Sequence, residues 1–381
     1  MRELRMVDLV TQYEGIKEEV DRAIQNVVQT AAFINGPEVK AFQSELEEYL
    51  DVPHVIPCAN GTDALQVAMM ALDLQPGDEV ITASFTYVAT AEVIALLKLK
   101  PVLVDVDPDT FLIDPAQVRD AISEKTKAIV PVHLFGQSAP MEEILAISKE
   151  HDLFVIEDTA QAIGSDYEFS DGRKMKAGTI GDIGATSFFP SKNLGCYGDG
   201  GAIFTRNEEL AKRMRMIVNH GQSKRYYHDD IGVNSRLDSI QAAVLRIKLR
   251  KLDTYSANRN RAAEYYDSAF SEVDEIITPV RAAHSNHVFH QYTMKLVGPS
   301  RDALVERLQE KGIPCMIYYP VPLHHQKAYR NDAHDGQLHI TEQLCQQVFS
   351  LPMHPELDDE QLAFITSKVK ETIKELKAET V

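Results

Sequence analysis

The chain has 381 residues, 44% hydrophobic and 25% charged, the balance of a soluble globular protein too long for a single core. Its 57 acidic residues outnumber 39 basic ones; the net charge of −18 argues against nucleic acid as a main partner and gives no reason to expect an anionic membrane surface. Cys58, Cys196, Cys315 and Cys345 are far apart and lack CxxC spacing, which speaks against a zinc site or a disulfide framework and fits reduced thiols in the cytoplasm.

Met1-Arg-Glu-Leu-Arg-Met-Val-Asp8 is too charged for a signal peptide, and no later apolar run approaches the roughly 20 residues that span a bilayer. Tyr13, Ile16, Val20, Ile24 and Val27 recur at helical spacing and predict one helix over Thr11–Val28. Asn35-Gly36-Pro37 breaks the chain, and Val39, Phe42, Leu46 and Leu50 mark a second helix. Short apolar runs then alternate with helical stretches: Val55–Pro57, Glu79–Ser84, Pro101–Val106, Ala128–Leu134, Leu153–Ile156, Ala185–Phe189 and Gly201–Thr205. Near-continuous Val, Ile, Leu and Phe suits strands covered on both faces, so the fold class is α/β with a mainly parallel central sheet between helices. Such sheets bind ligands at the carboxyl ends of their strands.

Asp166–Lys176 reads as a variable surface loop with no role. One long helix is expected from Ser239 to Arg261, leading into a smaller domain. There Gln291–Leu296 and Cys315–Tyr318 read as strands, and Arg301–Lys311, Thr341–Val348 and Asp359–Lys377 as helices. The division expected is a large α/β domain over 1–250, with an N-terminal helical segment, and a smaller α+β domain over 251–381.

Three strand ends carry candidate chemistry. After the first comes Cys58-Ala59-Asn60-Gly61-Thr62-Asp63, where Gly61 admits a close ligand and Thr62 and Asp63 stand at a helix start that favours phosphate. Taken alone, a plain helix cap is the commoner reading. The second is Phe154-Val155-Ile156-Glu157-Asp158-Thr159-Ala160-Gln161. Asp158 alone reads as a cap or loop ligand; beside a pyridine nitrogen it would keep that nitrogen protonated, with Gln161 one turn further on. The third runs from Thr186-Ser187-Phe188-Phe189-Pro190-Ser191-Lys192 into Gly198-Asp199-Gly200-Gly201. A desolvated Lys192 suits imine chemistry and Ser187 can donate to a phosphate, while a simple strand, turn and hairpin fits equally well.

Together, in this order, these stretches resemble the DegT/StrS family of sugar aminotransferases. With Gly232-Val233-Asn234-Ser235-Arg236, the similarity runs from Val7-Asp8-Leu9 to the last helix. The resemblance implies the fold-type I architecture and pyridoxal 5′-phosphate (PLP) as cofactor. It assigns Lys192 the covalent bond to the cofactor and the proton shuttle, Asp158 the pyridine nitrogen, and Gln161 the ring hydroxyl. It gives Gly61, Thr62 and Ser187 the phosphate, with Asp63 a weaker candidate, and Tyr87 the ring face. It also implies a homodimer with shared sites, Asn234 reaching a neighbour's phosphate and Arg236 an anionic group of the substrate. Members with histidine in place of the lysine act as dehydratases; Lys192 is present here.

The implied substrates are L-glutamate and a nucleotide-linked keto sugar, in the making of cell-surface polysaccharide or a related glycan. Ser84–Glu92 and His287–Tyr292 look most like enzymes of 3-keto sugars, with a UDP-linked 3-keto-glucuronate ahead of dTDP-linked 3-keto-6-deoxyhexoses or 4-keto sugars. His290, Tyr319 and His324 are candidates for the sugar or nucleotide site, although an aromatic–proline turn is usually packing. A PLP-dependent dehydratase and a non-catalytic sensor are the rival readings.

Overall fold

The computed structural model describes residues 1–329 and 337–380. A seven-stranded sheet runs in the order His54–Cys58, Gly201–Thr205, Ile183–Ser187, Phe154–Asp158, Thr126–Val130, Glu79–Ala83, Lys100–Val104. Gly201–Thr205 is antiparallel to both neighbours, and the other pairings are parallel. The period-2 alternation of strands explains the two covered faces. Ile56, Val80, Ala128, Val130 and Ile203 pack with the helix Gly61–Ala71 and with Glu208–Ile217. Their strand neighbours face the other way, Ile81 and Ile129 against Met141–His151, Val55 and Phe204 against Pro37–Leu50 and Ser239–Leu249.

A second sheet, antiparallel, joins Ile276–Ile277, Tyr292–Leu296 and Val348–Leu351. Its core takes in Leu304, Leu308, Leu362, Ile365 and Val369 from the helices Arg301–Glu310 and Asp359–Thr380, and also Leu4. All four cysteines are buried thiols, and no described helix is long and apolar enough to cross a membrane.

Several expected elements are corrected. The first helix is two, Leu9–Glu14 and Lys17–Thr30, because the backbone leaves helical geometry at Ile16, φ −131° and ψ 9°. The expected Ser239–Arg261 helix also divides, into Ser239–Leu249 and Leu252–Phe270. Leu245, Leu249 and Leu252 serve the main core whereas Ala262, Tyr266 and Phe270 serve the second, and one straight helix does not present both sets. Cys315–Tyr318 is no strand: it makes a single bridge, Met316 to Ser350. The strand there is Val348–Leu351, which follows the helix His339–Gln347 directly. Asp166–Lys176 is a short hairpin, with Tyr167 and Phe169 buried beneath it.

Glu157, in the strand Phe154–Asp158 of the seven-stranded sheet, ties down the loop at 178–181. Its carboxylate, wholly buried, accepts from the backbone N–H groups of Gly178, Ile180 and Gly181 at 2.8, 2.6 and 2.6 Å. It also bonds His133 Nε2 at 2.8 Å. His133 Nδ1 accepts from the Ala139 N–H, so Nε2 carries the proton and donates. Glu157→Ala would strand these donors. Urea denaturation is expected to show a loss of about 3 kcal/mol or more, and a near-neutral substitution would contradict this role.

Candidate active site

At the carboxyl ends of the parallel strands lies a cavity of about 670 Å³. Gly61, Thr62, Tyr87, Asp158, Gln161, Ser187, Lys192, His290 and Tyr319 all line it. Residues from six separate stretches, from Gly61 near the start of the chain to Tyr319 near its end, therefore meet in one place.

The floor is built first. Asn60 caps the helix Gly61–Ala71, its side-chain oxygen accepting from Asp63 N at 2.8 Å. The cap and the cavity wall are thus the same segment, and Asp63 itself does not line the cavity. Gly61 is required by crowding: a β-carbon there would stand 2.6 Å from Ser187 Cβ. Ser187 ends its strand beside it, with a helix start and a hydroxyl facing the same space.

Asp158 is 7% exposed and ends the strand Phe154–Asp158. Oδ2 accepts from Thr90 Oγ1 at 2.8 Å and Oδ1 from Ala160 N at 3.1 Å. Gln161 is held by its amide oxygen, which accepts from Phe135 N at 2.8 Å. Its amide nitrogen therefore points the other way and donates to Tyr319 Oη at 3.2 Å. Phe135 presents that N–H from a left-handed backbone, φ 56°. Burial raises the Tyr319 hydroxyl, which stays a neutral donor and acceptor.

Lys192 follows Pro190 on the loop beyond Ile183–Ser187, its N–H bonded to Phe189 O at 2.8 Å. Burial of the ammonium lowers its pKa from 10.5 to about 8, against the opposing pull of the Asp158 carboxylate. His290, 5% exposed, is pushed well below its ordinary value by burial and by the cations Lys192 and Arg259. Its ring is neutral, and Nδ1 has no hydrogen-bond partner among the described residues. The buried Arg259 guanidinium donates to the Phe289 and Met353 carbonyls at 3.0 and 2.8 Å and so fixes the backbone that carries His290.

Three sequence candidates lie elsewhere. Asn234 is exposed and outside this chain's cavity, its Oδ1 accepting from Arg236 NH2 at 2.7 Å, and Arg236 is likewise outside. His324 is not a wall of the cavity but fully buried, bonded through Nδ1 to Ser84 Oγ at 2.7 Å and through Nε2 to Glu342 at 3.2 Å. Two residues went unassigned in the sequence although they stand in the stretch that carries Tyr87. Thr86 lines the cavity with a buried hydroxyl that has no partner among the described residues, and Thr90 clamps Asp158. No local signal marks Thr90, because its partner Asp158 is 68 residues away in the chain.

A lysine whose folded pKa is depressed binds fewer protons folded than unfolded between pH 8 and 10.5, so its burial costs most at low pH. Lys192→Met in cofactor-free protein is therefore expected to be more stable than wild type below pH 8. The gap should shrink as pH rises to 10.5; a gap independent of pH would contradict the lowered pKa.

The chain matches the model of the DegT/DnrJ/EryC1/StrS aminotransferase family over residues 14–370. It is 47% identical to the "Pleiotropic regulatory protein" of Geobacillus stearothermophilus, covering 96% of this chain and 97% of that one. It is 43% identical to the UDP-2-acetamido-2-deoxy-3-oxo-D-glucuronate aminotransferase of Pseudomonas aeruginosa, covering 95% and 98%. A crystal structure of a DegT DnrJ EryC1 StrS aminotransferase from Brucella abortus superposes with a TM-score of 0.91 at 42% identity, covering 97% of this chain and 99% of that one. A near-complete family match, carried by a fold whose strand ends gather the expected side chains in one cavity, means that this chain belongs to the DegT/DnrJ/EryC1/StrS aminotransferase family.

Proposed function

We propose that this aminotransferase, whose cofactor is PLP, moves the amino group of L-glutamate onto the 3-keto group of UDP-2-acetamido-2-deoxy-3-oxo-glucuronate or a near relative, in the making of a cell-surface glycan. The observation that carries the reading is the convergence of Lys192, Asp158, Gln161, Ser187 and the Gly61–Thr62 helix start on one cavity. These groups fit the cofactor: a carboxylate, a desolvated amine, an oriented amide, and a small-residue anion cradle. The unpartnered Thr86 and His290 atoms leave polar capacity for a ligand. When bound, PLP supplies the electron sink that lets a bond beside the amino group break.

The chain's own residues do the rest. Asp158 holds the proton on the ring nitrogen. Gln161, its oxygen taken by Phe135, offers N–H to the ring hydroxyl. Gly61, Thr62 and Ser187 hold the phosphate, and Tyr87 covers the ring. With a pKa of about 8, Lys192 Nζ gives and takes a proton near neutral pH in both halves of a ping-pong reaction. His290 and Tyr319 meet the sugar as neutral hydrogen-bonding groups. In a homodimer Asn234 and Arg236, outside their own chain's cavity, serve the neighbour's. The UDP uronate is favoured by the stretches around Tyr87 and His290 and by the likeness to the Pseudomonas aeruginosa enzyme.

A sensor reading has support in the likeness to the "Pleiotropic regulatory protein" of Geobacillus stearothermophilus. A purely binding protein has no need of an amine placed in the same cavity as Asp158, Ser187 and Gly61, which favours catalysis.

Nitrogen-labelled L-glutamate and the UDP-linked 3-keto uronate are expected to yield labelled amino sugar and equimolar 2-oxoglutarate. Turnover of a dTDP-linked 3-keto hexose instead would overturn the nucleotide assignment. Loss of water from the sugar without 2-oxoglutarate would overturn amino transfer. Gly61→Ala, which sets a methyl 2.6 Å from Ser187 Cβ, is expected to weaken PLP binding about tenfold or more in a spectral titration. Unchanged affinity would remove this segment from the phosphate site.

A further inference from the structure

We infer that Thr90 is a positioning residue for the cofactor's ring nitrogen, because its hydroxyl fixes the orientation of the Asp158 carboxylate. The inference rests on the cofactor reading above. Thr90 is 1% exposed on the first turn of the helix Ala89–Leu96. A buried helical threonine ordinarily returns its hydroxyl to a carbonyl of the preceding turn. Here it donates across to Asp158 Oδ2 at 2.8 Å, while Ala160 N holds Oδ1 at 3.1 Å. With one donor on each oxygen, the carboxylate cannot turn without losing both bonds, and its remaining lone pairs serve the cavity. A valine would fill the same space in the helix, so the hydroxyl itself is what the carboxylate uses. Tyr87 stands three residues earlier, and one helix start thereby sets both the ring face and the ring nitrogen's partner.

The groups that bear on this charge are Lys192 and Tyr319, both facing Asp158, and His290 beside Lys192. A hydroxyl donated to a carboxylate favours its charged form. A loosened carboxylate holds the ring-nitrogen proton less firmly. Less positive charge on the ring then opposes protonation at the Lys192 nitrogen less, so that nitrogen's protonation midpoint rises.

The test uses the PLP-loaded protein with Thr90→Val, Thr90→Ala and Thr90→Ser. Valine and alanine are expected to raise the pH midpoint of the cofactor's absorbance and to lower kcat about tenfold, the scale of one hydrogen bond to a charged group, with little change in KM for the keto sugar. Serine is expected to restore both. Using alanine as well as valine keeps the test decisive if one variant does not fold. A wild-type midpoint in either variant, even with a lowered Tm, would reduce Thr90 to packing and overturn the inference. If the wild-type protein itself takes up no PLP, the cofactor reading fails, and the inference with it.

Discussion

Asp158 stands opposite Ala185 because Phe154–Asp158 and Ile183–Ser187 run parallel in one register. Neighbouring residues of a strand face opposite ways, and a slip of one position would exchange them. Glu157 then faces the backbone of Gly178, Ile180 and Gly181, and Asp158 faces the cavity. Adjacent carboxylates thus do different work, one closing a loop and the other facing the cavity. Because Ser187 ends the partner strand and Lys192 follows it, the same register brings the amine and the Ser187 hydroxyl to the same edge.

That edge is also where electrostatics are adjusted by burial rather than by charge pairing. Lys192 loses its proton near pH 8 through desolvation, with Asp158 resisting the change. His290 is neutral for the same reason, and the Arg259 cation that helps to keep it so also anchors its backbone. Lys248 is a useful comparison. Burial lowers it to about 8 as well, yet its ammonium bonds Gly195 O at 2.6 Å and lies against the Tyr197 ring, outside the cavity. A depressed lysine pKa alone does not set Lys192 apart from Lys248; its place in the cavity with Asp158, Ser187 and Gly61 does.

Much of this was legible in the sequence because it is local. The main strands announce themselves as apolar runs, and Asn60-Gly61-Thr62, Asp158 with Gln161, and Ser187 with Lys192 each sit a few residues from a strand end. What escaped depends on tertiary partners. The division between Leu249 and Leu252 carries no glycine or proline and follows from two cores pulling on one apolar pattern. Val348–Leu351 is too short to be told from the end of a helix until Tyr292–Leu296 pairs with it. Thr90 looks like any buried helical threonine until the fold brings Asp158 within 2.8 Å. His324 sits beside candidate residues in the chain, but Ser84 and Glu342 draw its ring away from the cavity.

The central claim is that Lys192, and not another amine, joins the cofactor. Reduction of the PLP-loaded protein with borohydride, followed by peptide mapping, tests it most directly. The account predicts a reduced pyridoxyl group on Lys192 alone. A label on Lys248, the other buried lysine with a pKa near 8, or no label at all, would contradict it.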